Sequence, residues 1–180
     1  MQHLYLMRHG QSEANAHHII AGSHDSPLSD IGRKQAAYAG DTAKQYLHFD
    51  LIVSSPMDRA LETAQIIAER IDYDPERILT IESLRERHLG DVEGKDYAHA
   101  PQHNGNYEDA ENVPGVEPID DLLDRMHDVL NQLQARPEQN ILVVAHNGCG
   151  RMLKVALRRG QPMDMYQQPR TENAIFYQLS

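Results

Sequence analysis

No apolar run in this chain approaches the roughly 18 residues that a membrane-spanning helix requires, and its 180 residues include a single cysteine, Cys149. The first absence argues against a helical membrane span, and the second rules out an internal disulfide framework. The opening segment also lacks the form of a secretory signal: its apolar residues stop at Arg8, with no basic lead and no long apolar stretch. The cytoplasm is the expected location. Positive charge is scarce as well, with 17 lysines and arginines against 27 aspartates and glutamates and a formal net charge of −10. That balance argues against nucleic acid or an anionic membrane as a general partner, since both draw on positive surface potential. Any anion site must then be a local concentration of arginine and histidine. No repeat or low-complexity block divides the chain, and its length suits one domain over residues 1–180 with a single substantial core. The least regular stretch, "KDYAHAPQHNGNYEDAENVPGVEP" at about 95–118, reads as a long lid-like excursion.

What is present is a set of short apolar runs separated by amphipathic patterns. Leu4 to Met7, Leu51 to Val53 and Ile141 to Ala145 have the pattern of strands buried on both faces. Met57, Ala60, Leu61, Ala64, Ile67, Ala68 and Ile71 recur at helical spacing, as do Ile119, Leu122, Leu123, Met126, Leu130 and Leu133. Weaker helices are expected from about Ser29 to Leu47 and from Gly150 to about Arg158, and a last strand from Ala174 to Leu179. Strands alternating with helices imply an α/β domain with a mainly parallel central sheet. The helix after Val53 has an apparent start signal, with Ser55 as cap, Pro56 in the first position and Asp58 completing a Ser-x-x-Asp pattern. Arg59 then falls off the apolar stripe, where its side chain can reach past the end of the preceding strand.

Ligands of open parallel sheets bind outside the carboxyl ends of the strands. Three such ends carry Arg8 with His9, Arg59, and His146. Two arginines and two histidines meeting at one point would make a receptor for a tetrahedral dianion, held by charge-assisted hydrogen bonds of roughly 1.5–3 kcal/mol each before desolvation. Phosphoryl groups fit that description. Helix N-termini near Ser55 and Asn147 would add backbone donors, Gly148 and Gly150 would keep the backbone approachable, and Asn15 could add a neutral donor.

Taken together, "LYLMRHGQSEAN", "LIVSSPMDRALETA", "LRERHLG" and "ILVVAHNG" resemble the histidine phosphatase superfamily, the phosphoglycerate mutase-like family, from Leu4 to the last helix. The resemblance implies a three-layer α/β/α sandwich. It implies that His9 attacks phosphorus and becomes a phosphohistidine, while Arg8, Arg59 and His146 hold the phosphoryl oxygens. Glu86 would be the general acid for the leaving oxygen and then the base for water, with no metal or other cofactor required. Neighbouring arginines would disfavour a second proton on the nucleophilic imidazole, and a backbone acceptor would fix its tautomer.

Within that family the sequence favours hydrolysis over transfer. Between His88 and Asp124 the only lysine or arginine is Lys95, among many carboxylates, which suits a small phosphorylated metabolite better than a polyanion. The expectation is therefore a metal-independent phosphomonoesterase of the histidine acid phosphatase type. Two alternatives stand beside it. One is a cofactor-dependent phosphoglycerate mutase, for which "ERHLG" speaks; the other is a catalytically silent phosphate-binding module. The excursion, with Tyr97, Tyr107, Val113 and its histidines, would shape the substrate. Cys149 reads as a small packing residue, and His17, His18, His24, His99 and His103 as loop histidines without metal-ligand spacing, while His88 could edge the site. No Gly-rich Lys-Ser/Thr loop of a nucleotide triphosphatase occurs. The sequence leaves the oligomeric state open.

Overall fold

Each apolar run becomes a strand whose alternate side chains enter opposite cores. The structure, a computed structural model, describes residues 2–99 and 111–180. In chain order its elements are β1 (His3–Arg8), α1 (Glu13–Ala16), α2 (Asp30–Tyr46), β2 (Leu51–Ser54), α3 (Asp58–Arg70), β3 (Leu79–Thr80), α4 (Ile119–Gln134), β4 (Asn140–Ala145), α5 (Asn147–Leu157) and β5 (Phe176–Gln178). The strands lie in the order β3-β2-β4-β1-β5, all parallel except β5, which runs antiparallel to β1 along one edge.

Period-two alternation divides the sheet faces. Leu4, Leu6, Leu51, Val53, Ile141 and Val143 pack against α4 and α5. Met7, Ile52, Leu142 and Val144 pack against α2 and α3. The result is the α/β/α sandwich expected from the sequence. Burying one Leu or Ile side chain contributes about 1.5–3 kcal/mol, so the two clusters hold both helix layers onto the sheet. The helical stripe of α4 is buried at every position the sequence singled out, and Asp120 and Asp121 occupy its electropositive first turn.

Three local expectations are corrected. Helix α3 begins at Asp58 with Met57 as its N-cap and no side-chain cap. The Asp58 N–H is instead accepted by Asp25 Oδ2 at 3.0 Å, which leaves the Ser55 hydroxyl for another partner. Helix α5 begins at Asn147 rather than after Gly150. It is buried from Asn147 to Ala156, and that packing outweighs the cost of about 1 kcal/mol per glycine. The last strand is confined to Phe176–Gln178, because Ala174 has a left-handed φ of 53° and cannot continue an extended run. Strand β3, two exposed residues long, lies beside β2 at the sheet edge and was not among the expected strands.

Between β3 and α4 the chain leaves the sheet. Leu89, Val92 and Val113 form a small separate core with Ile20, flanked by Tyr97 and Val116. The Ile19 to Asp96 bridge ties this region to the loop after α1, and the Leu89 to Val116 bridge closes the region on itself. The middle of the anticipated lid, 100–110 with His103 and Tyr107, lies outside the described residues.

Candidate active site

The geometry of the site starts from strand register. β1 and β4 pair in parallel up to Arg8 and Ala145, and the His9 N–H donates to the Ala145 carbonyl at 3.0 Å. The next residues, His9 and His146, are therefore brought side by side, with ring centroids 5.1 Å apart. β2 ends one strand further along, and the first turn of α3 sends Arg59 back over its tip. Arg59 Nε donates to His9 Nε2 at 3.2 Å.

The Arg59 guanidinium is buried, 2% exposed, and needs partners for its remaining donors. The carbonyls of His24 and Gly22 accept from Nη1 and Nη2, each at 2.8 Å, and Asp25 stands 3.6 Å from Nη1. The loop carrying these acceptors is held by the buried Glu93, which accepts from the Ser23 N–H and hydroxyl at 2.8 and 3.0 Å. Gly22 has φ 52°, and a Cβ there would stand 2.2 Å from Glu93 Oε1, so both the turn and the approach require glycine. On the other side, Arg8 Nη1 donates to the Thr171 carbonyl at 3.2 Å, and Asn173 Nδ2 to the His9 carbonyl at 2.7 Å.

The two histidines are fixed through different nitrogens. His9 Nδ1 lies 2.6 Å from the Gly10 carbonyl. A carbonyl only accepts, so Nδ1 carries the hydrogen and the lone pair is on Nε2. His146 uses Nε2, 2.8 Å from Ser55 Oγ. Its Nδ1 is buried without a partner among the described residues, as is Arg8 Nε. Both rings are held neutral. Burial pushes the pKa of His9 well below its usual value and Arg59 and Arg8 push it the same way, whereas the Gly10 carbonyl opposes them. Burial likewise lowers His146, followed by Arg59, His9 and Arg8. Burial lowers Arg59 too, and Glu86 and Asp25 counter it.

Glu86 sits against the N-terminus of α5. Its Oε1 accepts from the backbone N–H groups of Arg87 and Cys149 at 2.9 and 3.1 Å, and its Oε2 from Gly148 at 3.0 Å. A Cβ on Gly148 would stand 2.7 Å from Oε1, so this approach needs the glycine the sequence pointed to. Gly150 serves packing: a Cβ there would stand 3.2 Å from a Leu6 methyl.

The structure thus brings Arg8, His9, Arg59, Glu86 and His146 to one end of the sheet. The two asparagines are engaged in holding the backbone. Asn15 closes a capping box with Ser12 and donates to the Tyr97 hydroxyl at 3.3 Å. Asn147 Oδ1 accepts from the Thr171 N–H at 3.0 Å. His88 lines a cleft of about 400 Å³ with Glu86, Ser23 and Arg85. Cys149 is buried and bonded to the Leu84 carbonyl, with its thiol pushed up to about 12 by burial and by Glu86, so it is not a nucleophile. Sequence reasoning missed Thr171, Asn173 and the carbonyls of Gly22 and His24. It took Ser55 for a cap.

A family model described as histidine phosphatase superfamily (branch 1) matches residues 4–180. The chain is 32% identical over 159 residues to the uncharacterized phosphatase PhoE of Bacillus subtilis, covering 87% of this chain and 78% of that protein. It is 31% identical to a 2,3-bisphosphoglycerate-dependent phosphoglycerate mutase of Cytophaga hutchinsonii, covering 90% and 80%. A mycobacterial glucosyl-3-phosphoglycerate phosphatase, solved in complex with VO3, superposes with a TM-score of 0.87 at 30% identity, covering 100% of this chain and 93% of the other.

Proposed function

Because this chain belongs to the histidine phosphatase superfamily, we propose that it is a phosphatase that hydrolyses small phosphomonoesters through a phosphohistidine on His9. The observation that carries this reading is two buried nitrogens without partners among the described residues, Arg8 Nε and His146 Nδ1, beside a neutral histidine whose lone pair is on Nε2. Buried polar groups without partners are rare and costly, and a phosphoryl oxygen is an acceptor for both.

In the first step His9 Nε2 attacks phosphorus. The P–N bond forms as the ester P–O bond breaks, and Glu86 gives its proton to the leaving oxygen. Arg59, which occupies Nε2 at rest, turns its Nε–H to the phosphoryl oxygens. In the second step water attacks phosphorus, Glu86 takes its proton, and the electron pair of the P–N bond returns to Nε2. Each carboxylate oxygen has two acceptor positions; Oε1 has both filled by backbone donors, so the transferred proton rides on Oε2. Arg8, Arg59 and His146 stabilise the equatorial oxygens, the task a metal performs in many phosphoryl transfers.

Release to water, rather than return to a sugar acid, is supported by the fate of the nearby cations. Arg87, in the block that speaks for a mutase, is buried and engaged by Glu111 at 2.8 and 2.9 Å and by the Glu117 carbonyl. Arg125 is paired with Glu117 at 2.6 Å. Neither is poised for a second phosphate. A small phosphorylated metabolite in the cytoplasm completes the proposal.

The test is turnover of p-nitrophenyl phosphate with EDTA present, together with a search for an acid-labile, base-stable phosphoryl label on His9. Equal rates from wild type and His9→Ala would overturn the enzyme reading and favour the binding module. With 3-phosphoglycerate and 2,3-bisphosphoglycerate, free phosphate is expected; isomerisation alone would establish the mutase.

A further inference from the structure

The interaction that the capping expectation overlooked is the hydrogen bond of Ser55 to His146. We infer that Ser55 is a positioning residue that fixes His146 in the tautomer with its proton on Nδ1, making the ring a neutral, directed donor to the anion held by Arg8 and Arg59. The inference rests on the proposed function only for the identity of that anion.

Counting hydrogens separates the two tautomers. The Ser55 side chain is fully buried. Its oxygen accepts from the Met57 N–H at 3.3 Å and lies 2.8 Å from His146 Nε2. If Nε2 carried the ring proton, Ser55 Oγ would accept twice, and its own hydrogen would have no acceptor among the described residues. His146 Nδ1 would then present a lone pair to any anion. If Nε2 is the acceptor, the Ser55 hydroxyl donates its hydrogen to it while one lone pair takes the Met57 N–H, and the proton stands on Nδ1. That atom is buried and has no partner among the described residues. Only this tautomer satisfies Ser55 and gives the anion a donor. The doubly protonated ring is disfavoured by burial and by Arg59, His9 and Arg8. Ser55 itself is held by its N–H to the Val144 carbonyl at 3.0 Å and by the Ser54 hydroxyl on its carbonyl at 2.8 Å, so its direction is set by β2 and β4.

The experiment reads the tautomer directly. In protein labelled with nitrogen-15 histidine, long-range proton–nitrogen correlation spectra should place the His146 proton on Nδ1, the signals being assigned by their loss in His146→Asn. In Ser55→Ala the proton should redistribute toward Nε2, and affinity for inorganic phosphate should fall about tenfold. Ser55→Thr, which keeps the hydroxyl, should retain the wild-type tautomer. A wild-type spectrum with the proton on Nε2 overturns the inference even if no variant folds. So does a Ser55→Ala protein that keeps the Nδ1 proton, whatever its phosphate affinity. Turnover of p-nitrophenyl phosphate tests the phosphatase reading separately: phosphate binding with the Nδ1 tautomer but without turnover would keep the role of Ser55 and remove the enzyme.

Discussion

His9 and His146 end neighbouring parallel strands at the same level, and both rings are buried and neutral. Yet β1 ties its histidine through Nδ1 to a backbone carbonyl, whereas β4 ties its histidine through Nε2 to a hydroxyl from β2. The first arrangement leaves a lone pair facing the site and suits a nucleophile. The second leaves a hydrogen there and suits a donor. Identical side chains in near-equivalent positions are thus given opposite chemistry by which nitrogen the scaffold occupies, since the two nitrogens of a neutral imidazole cannot play the same role.

The contrast can be tested in order of expected effect. His9→Asn should bring turnover to background with the fold intact by circular dichroism, because the other neutral imidazole of the site, His146, has its Nε2 engaged by Ser55. Next, Glu86→Gln should slow alkyl phosphates by about 10²- to 10⁴-fold and aryl phosphates by less, since their leaving groups need little protonation; equal losses would remove the acid role. His146→Ala should lower kcat by about 10²- to 10³-fold, as the loss of one preorganised donor does. His146→Asn, whose amide can still donate, should recover part of that rate. If His146→Ala were as dead as the His9 variant, the donor assignment would fail.

The smallest effect is on stability. Both histidines have pKa values well below 6.5 in the folded protein, so below pH 6.5 the unfolded chain binds more protons at these positions than the folded one. Stability is fully present above that pH and falls as pH drops toward the folded values. The melting temperature of wild type should decline between pH 7 and 5, and a His9→Asn/His146→Asn protein should decline less. Activity should persist through pH 6.5 on its acid side.

The residues that differ chemically from their surroundings were legible in the sequence. Arg8, His9, Arg59, Glu86 and His146 stand out against apolar strands, and parallel topology sends strand ends to one side. The three central strands and the stripe of α4 were legible for the same reason. What supports the site was not. Arg59 is held by the carbonyls of Gly22 and His24 and Arg8 by that of Thr171, and a main-chain carbonyl leaves no mark in residue identity. Ser55 carried a true signal for a hydroxyl near a helix start but a misleading one for its partner, because Asp25, 33 residues from Asp58, took over that N–H. Local patterns do not register a competitor that arrives from elsewhere in the chain.

The return segment before β5 completes the mouth of the first strand: Thr171 receives Arg8, Asn173 grips the His9 carbonyl, and the Ala174 N–H bonds to the Arg8 carbonyl at 2.9 Å. During synthesis, then, β1 waits for a residue 163 positions later before its arginine is braced. A nascent chain released before residue 171 would carry all five side chains gathered at the strand ends and still lack the brace that aims the first of them.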